Sequence, residues 1–237
     1  MSNSCHPLFV TAGDLDKITK HIPVLRSEES RMQAAIALII RDTDHGSEFL
    51  LMQRAHHQND PWSGQMSFPG GKIEASDLGS KQAAIRESFE EVGIQLGGSN
   101  YVGRLNDLFG FKVDGVYMVH LACFVFKVSP DVVITPNYEV ADTVWVPFSS
   151  LETPANYYAH ESALSSVTQM PAVMIDSDKE QILWGLSLRI LVMLFDVLAW
   201  PMTTLDDKTK HIMRTLDRQN IDSSGNPALK RVANRNG

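Results

Sequence analysis

Residues 68–94 read FPGGKIEASDLGSKQAAIRESFEEVGI, and this run decides the fold. Its second part has a helical period over 78–92. With Glu87 as origin and about 100° per residue, Glu90 and Glu91 fall to either side of it on one face. Leu78, Ile85, Phe89 and Val92 gather opposite, which predicts a buried stripe behind a carboxylate face. Ala83 and Ala84 flank the acids and leave room for something to approach. Gly93 is suited to end the helix, so Glu90 and Glu91 sit in its last turn, where the helix dipole disfavours negative charge. Each like-charge pair costs about 0.2–0.5 kcal/mol on an exposed helix. Arg86 reaches Glu90 at i,i+4, but one arginine does not neutralise three glutamates.

Two readings account for this cost. The acids form a solvated face, where the repulsion is tolerated, or they hold a divalent cation. Mg²⁺ takes hard oxygen ligands, keeps several waters and is held by carboxylates together with substrate phosphates. No His–Cys cluster competes for a softer metal. The preceding Phe68-Pro69-Gly70-Gly71 turn favours the second reading. A glycine turn lets backbone come close to a ligand or expose a carbonyl to it.

Working outward, 33–41 (QAAIALIIR) is apolar and β-prone, 42–46 is a turn, and 49–54 (FLLMQR) completes a hairpin. Residues 55–65 form a polar loop, and Met66 to Phe68 a short strand. Downstream come YVGRLNDL from 101, one long strand at 116–128, a strand at 143–147 and another at 171–176. Ser177 and Glu180 predict a capping box for a helix over 181–199. A short helix is expected at 13–21, and 149–168 reads as an insertion. Strands before, between and after helices predict an α/β or α+β sandwich around a mixed sheet.

A chain of 237 residues with 43% hydrophobic and 21% charged side chains supports one sizeable core without disulfides. Cys5 and Cys123 read as free thiols, and the N-terminus shows no secretory signal, which together predict a cytoplasmic protein. The apolar window 182–200 carries Arg189 and Asp196 and is expected to be a core helix, with no membrane involvement. Residues 208–237 hold seven basic and two acidic side chains, so the rest carries −12 against a total of −7. An acidic body argues against nucleic acid as a partner. The boundaries expected are an N-terminal extension over 1–32, a main domain over 33–200 and a basic tail over 201–237.

Gly71, Asp77, Arg86, Glu87, Glu90, Glu91, Gly93 and Ile94 together resemble the signature box of the Nudix hydrolases. Asp77 stands for the usual Glu, one extra residue precedes Arg86, and Ser88 takes a usually aliphatic place. LLMQR at 50–54, EVADTVWVPFSSL at 139–151 and ILWGLSLRIL at 182–191 extend the likeness over about 33–200. The branch resembled is that of the coenzyme A pyrophosphatases. The chain keeps Leu50, Leu51, Arg54, Gly64 and Phe68 to Gly71 of that branch's upstream pattern but lacks its second arginine. DPWSGQMSFPGG looks like the mark of a sister group.

The resemblance implies a Nudix α/β/α sandwich. It also implies hydrolysis, dependent on Mg²⁺ or Mn²⁺, of a diphosphate linking a nucleoside to another moiety. Coenzyme A-like compounds, ADP-linked cofactors and nucleotide sugars all qualify. Glu87, Glu90, Glu91 and the Gly70 carbonyl are the implied metal ligands, and Arg86 positions Glu90. The base is a box glutamate or an acid from a distant loop, for which Glu139 is the candidate. Arg54, Gly71 and Lys72 are the candidate substrate contacts. Arg54 is equally suited to pair with the acidic cluster, and Asp77 is expected to cap the helix. His56 and His57 are expected to be exposed, and Trp62, Phe109 and Trp184 to pack. The competing function is a nucleotide-sensing regulatory module without catalysis; such modules usually lose the box glutamates, which are all present here. The sequence does not set the oligomeric state, and the resemblance allows a homodimer.

Overall fold

A computed structural model describes residues 8–201 apart from Glu28, Asn59, Pro61, Phe111, Asp114 and 161–169. Cys5, residues 161–168 of the expected insertion and the basic tail from 202 onward lie outside the described residues.

The centre is β1 (Gln33–Thr43), joined by the expected turn to β2 (Gly46–Arg54). Ala34, Ile36, Leu38 and Ile40 point into one core, and Ala35, Ala37 and Ile39 into another. A strand covered on both faces has no solvent side, so its sequence is an unbroken apolar run. Beside β1 runs β9 (His120–Lys127), parallel from Gln33↔His120 to Ile40↔Lys127. β5 (Tyr101–Arg104) and β6 (Leu108–Phe109) pair antiparallel with β9, and β10 (Val140–Pro147) pairs with β2. The sheet is therefore mixed, in the order β10-β2-β1-β9-β5.

The feature that builds the site is a fork. β1 and β2 pair only from Ile40↔Phe49 to Thr43↔Gly46. Beyond that they part, and the chain at 66–72 fills the gap. β3 (Met66–Ser67) pairs with β2, and β4 (Gly70–Lys72) pairs with β1 at Ala34 to Ile36. Between them the Pro69 carbonyl accepts from Ala37 N–H at 2.8 Å. Gly70 has φ 152°, and a Cβ there would run into the Ala35 carbonyl and Ile36. Only glycine fits a strand this close to its neighbour with that backbone.

Helix α2 (Ser80–Val92) covers one face of the sheet. On the other lie α1 (Ala12–Lys20) and α3 (Gly185–Leu198). The Thr11–Asp14 capping box starts α1, and Ile18 is fully buried against β5. Helix α1 and the residues just before it thus pack into the same core as the sheet. Helix α3 is buried almost all round, as its composition predicts. Arg189 lies within it, and its Nη1 donates to the Phe109 carbonyl at 2.9 Å. Among the described residues no helix is long and apolar enough to cross a membrane.

Three expectations about elements are corrected. The long strand at 116–128 is two: β8 (Val116–Tyr117) pairs with β7 (Lys112–Val113), and β9 begins only at His120, where pairing with β1 starts. Tyr117 rests on Phe109, ring centroids 4.4 Å apart, and its backbone bridges Ser30 rather than extending the pairing of β9 with β1. The helix expected from 181 starts four residues later. β13 (Gln181–Trp184) first pairs with β12 (Met170–Asp176), which in turn pairs with β11 (Tyr157–His160). Glu180 has φ 54° in the connecting turn, so no Ser177–Glu180 capping box forms. Gln181 and Leu183 are buried while Ile182 and Trp184 are half-buried, and short apolar runs satisfy strand and helix periods alike. Finally, the expected insertion begins with two 3-10 turns, Phe148–Glu152 and Pro154–Asn156, with Phe148 and Leu151 in the core.

Candidate active site

Helix α2 turns a different face to the sheet from the one its apolar residues predict. Leu78 and Phe89 are 96% and 59% exposed, whereas Ala83, Ala84, Ser88, Glu91 and Val92 are buried. The two alanines do not leave space beside the acids; they let the helix lie close on Ala35 and Ala37. Ser88 fits because its Oγ donates to the Ala84 carbonyl at 2.7 Å. Alanine is apolar but small, so a wheel weighted by large side chains misplaces the contact face by about one residue.

That rotation puts Glu91 inside, 3% exposed, where its Oε2 accepts from Gly70 N–H at 2.8 Å. Glu87 is nearby: a Cβ on Gly71 would come within 2.5 Å of its carboxyl group. The glycine pair in the fork thus meets both acids, Gly70 by a hydrogen bond and Gly71 by the space its missing side chain leaves. Glu90 is half-exposed on the flank.

Arg86 gathers the outer part of the cluster. Its Nη1 donates to Glu87 Oε1 at 2.9 Å and Glu90 Oε2 at 3.0 Å. Its Nε and Nη2 bond both Asp77 oxygens at 3.0 Å, and Nη2 also reaches the Lys72 carbonyl. Asp77 therefore does not cap α2. The N-cap position is Gly79, and Asp77, one residue too far out, holds Arg86 instead. The arginine in turn keeps Asp77 below the ordinary carboxylate range.

Glu139 comes from the loop before β10. This loop closes the end of α2: Thr135 N–H donates to the Val92 carbonyl and Asn137 N–H to the Glu91 carbonyl, both at 2.9 Å. Gly93 takes the left-handed conformation, φ 72°, as its place at the helix end predicts. Amide donors thus meet the carbonyl end of the dipole, where the glutamates alone would be unfavourable. Burial pushes the Glu91 carboxyl up to about 8, with Glu87 and Glu139 adding to the shift and the Gly70 N–H and Arg54 opposing it. Burial also raises Glu87, Arg86 opposes, and Glu90 and Glu139 push further. Distant in sequence, Glu139 is in electrostatic range of both.

Arg54, expected at a phosphate or at the acids, forms a close pair with Asp60, Nη2 to Oδ2 at 2.7 Å. Sequence reasoning did not single out Asp60, whose other oxygen accepts from Trp62 N–H and so ties the polar loop to β2. Arg54, Asp60 and Lys72 border a cavity of about 470 Å³ that shares Gly70 and Gly71 with the carboxylates. Trp62 and Trp184 line it. Trp184, expected in the core, is half-buried there because it ends β13 rather than lying within a helix. Phe109 is buried in the core and His56 and His57 are exposed, as expected.

A NUDIX domain model matches residues 31–166. The chain belongs to the Nudix family. It is 27% identical over 193 residues to a probable nudix hydrolase of Schizosaccharomyces pombe, covering 81% of this chain and 64% of that protein. It is 27% identical over 172 residues to the Nudix hydrolase NudL of Pectobacterium atrosepticum, covering 71% and 84% respectively. The chain spans less than two thirds of the fission yeast relative's length. A MutT/nudix family protein from Enterococcus faecalis superposes with a TM-score of 0.51 at 13% identity, over 86% of this chain and 81% of that one. That likeness bears on the fold, which is the Nudix sandwich the box implies.

The donor set suits a hard cation. Glu87, Glu90, Glu91 and Glu139 offer oxygen only, two of them in surroundings that disfavour their own charge. Among the described residues no three acidic, histidine or cysteine side chains already enclose an ion. Arg86 engages Glu87 through Oε1 and Glu90 through Oε2, and does not use the second oxygen of either.

Proposed function

We propose that this Nudix chain is a pyrophosphohydrolase that uses Mg²⁺ or Mn²⁺ to cleave a nucleoside diphosphate linked to another moiety. The observation that carries the reading is the meeting of Glu87 and Glu91 at the Gly70–Gly71 fork, with Glu91 buried against a backbone N–H and Glu139 in electrostatic range of both. The three box glutamates are also what a non-catalytic nucleotide sensor would be free to lose.

Glu87, Glu90, Glu91 and the Gly70 carbonyl are the residues assigned to the metal. When bound, such an ion neutralises charge on the diphosphate oxygens and lowers the pKa of water. The chain does the rest. Gly70 N–H fixes Glu91, and Arg86, anchored by Asp77, sets Glu87 and Glu90. We assign proton removal from the attacking water to Glu139, which is exposed and not held by Arg86. Water adds to one phosphorus, the anhydride P–O bond breaks, and the other phosphate leaves as a monoester. Lys72 and Gly71, with Arg54 once it turns from Asp60, contact the diphosphate.

Within this reading residues 33–200 are the catalytic domain, 1–32 an N-terminal extension whose α1 packs on it, and 201–237 a basic tail. The substrate is a small molecule of the coenzyme A-like, ADP-linked or nucleotide-sugar kind, handled in the cytoplasm by a monomer or homodimer. The test is a panel of such diphosphates assayed with Mg²⁺, beside Glu91→Gln. Turnover should fall on the order of 10²-fold or more in the variant. A parent protein that hydrolyses none of them, or a variant as fast as the parent, overturns the assignment.

A further inference from the structure

The cavity beside the fork has a chemical character that the Nudix box does not dictate. Arg54, Asp60 and Lys72, all charged, share its lining with Gly70 and Gly71, and Lys72 is exposed. Behind them the walls are hydrocarbon: Ala34, Ile36, Val119, Leu121, Leu186 and Ile190, from β1, from β9 and the residue before it, and from α3. Ala34, Ile36, Val119, Leu121 and Ile190 also belong to the larger core cluster. The cavity is thus an opening into the sheet's α3 side, while the glutamates stand on its α2 side, and the two glycines border both.

Among the described residues the polar supply inside is small. Ser67 Oγ is buried and has no protein partner, and Gln65 adds an amide. Ser187 Oγ already donates to the Met66 carbonyl, and Arg189 Nη1 to that of Phe109. A hexose or ribose carries several hydroxyls, and each one buried without a partner weakens binding. An apolar chain has no such requirement, and Met66 and Met170, both in the lining, adapt to irregular apolar shapes.

We propose that the cavity takes an apolar chain on the far side of the scissile diphosphate, so that the enzyme selects diphosphates bearing a hydrocarbon substituent over nucleotide sugars. This rests on the pyrophosphohydrolase reading of the α2 site. Leu186, in the first turn of α3, is a specificity-determining residue, since a larger side chain there shortens the space available. Ser67 supplies a hydrogen bond to a polar atom within the chain.

The test uses the full chain with Mg²⁺ and a series of ADP n-alkyl esters from methyl to octyl, beside ADP-ribose and UDP-glucose. Products are AMP and the alkyl phosphate. We expect kcat/KM to rise up to threefold to fourfold per methylene while the chain is entering the cavity, then to level off. ADP-ribose and UDP-glucose should fall below the octyl ester. In Leu186→Trp the ratio of octyl to methyl ester should drop at least tenfold, a ratio that corrects for any fraction of misfolded protein. Equal rates along the series, or preference for the sugar compounds, overturn the apolar-chain inference and leave the pyrophosphohydrolase reading standing. No hydrolysis of any compound overturns both.

Discussion

Two of the buried carboxylates of this molecule, Asp107 and Glu91, are held on opposite terms. Asp107 is 1% exposed and Glu91 is 3% exposed, and burial pushes both towards the neutral form. Around Asp107, His120 Nε2 at 3.0 Å, Arg26 N–H at 3.0 Å and Arg104 Nη2 at 2.6 Å outweigh burial and hold the acid below its ordinary range. Around Glu91 the Gly70 N–H and the more distant Arg54 do not outweigh burial and two more acids, and it rises to about 8. A buried acid fully supplied with donors fastens the fold. One surrounded by its own sign is suited to something that arrives carrying positive charge.

The sharpest way to break that comparison is to neutralise each acid in turn. Glu91→Gln should lower kcat by on the order of 10²-fold or more, yet leave the metal-free melting temperature unchanged or higher. Asp107→Asn should do the reverse. It strands Arg104 and costs about 3 kcal/mol of stability, seen as a fall of roughly 6–12 °C in melting temperature, with turnover by the folded fraction retained. If the two variants exchange these phenotypes, the assignment of roles is wrong.

A second contrast is in pH. The folded carboxyl of Glu91 lies above its unfolded value of 4.5, so the folded state keeps a proton that the unfolded state releases. In chelator, its contribution to stability should therefore decline as pH rises from 4.5 towards about 8, by on the order of a few kcal/mol at most. Mg²⁺ added at pH 8 should reverse that decline. Asp107 is depressed, so its contribution is present above the unfolded value and is lost as acid carries the pH down through the folded one. Calorimetric scans between pH 3 and 9, with and without Mg²⁺, read both limbs. A flat metal-free profile from pH 5 to 8 would remove Glu91 from the comparison.

Gly71→Ala tests the space between the fork and the cluster. The new Cβ would approach the Glu87 carboxyl to 2.5 Å, and because that group ends a flexible side chain it will move aside. Stability should change by about 1 kcal/mol or less, while kcat/KM drops on the order of tenfold as Glu87 leaves its position. Leu78→Ser should have the smallest effect. At 96% exposure it should alter stability by no more than about 0.5 kcal/mol. A larger loss would mean that the stripe read from the helical period is buried after all.

That last pair shows where the sequence was readable. The order and spacing of Gly71, Arg86, Glu87, Glu90 and Glu91 announce the family, because three carboxylates and an arginine at helical intervals behind a glycine turn form a long and specific pattern. The β1–β2 hairpin, α1, Gly93 as the helix end and the burial of α3 also follow from local rules, since each is decided by neighbours a few residues away. The break before His120 and the strand at Gln181–Trp184 do not. In both, a short apolar run fits more than one period, and pairing with β1 or β12 makes the choice.

By itself the sequence determined the family, the helix that carries the carboxylates, the glycines beside it and the mixed sheet behind it. Tertiary structure alone decided which face of α2 is buried, that Asp77 anchors Arg86, that Arg54 faces Asp60, and that Glu139 joins acids nearly fifty residues before it. It also opened an apolar cavity behind the fork. The reason is range: hydrogen-bonded periods are set within a turn or a strand, whereas burial and charge depend on what the rest of the chain brings alongside.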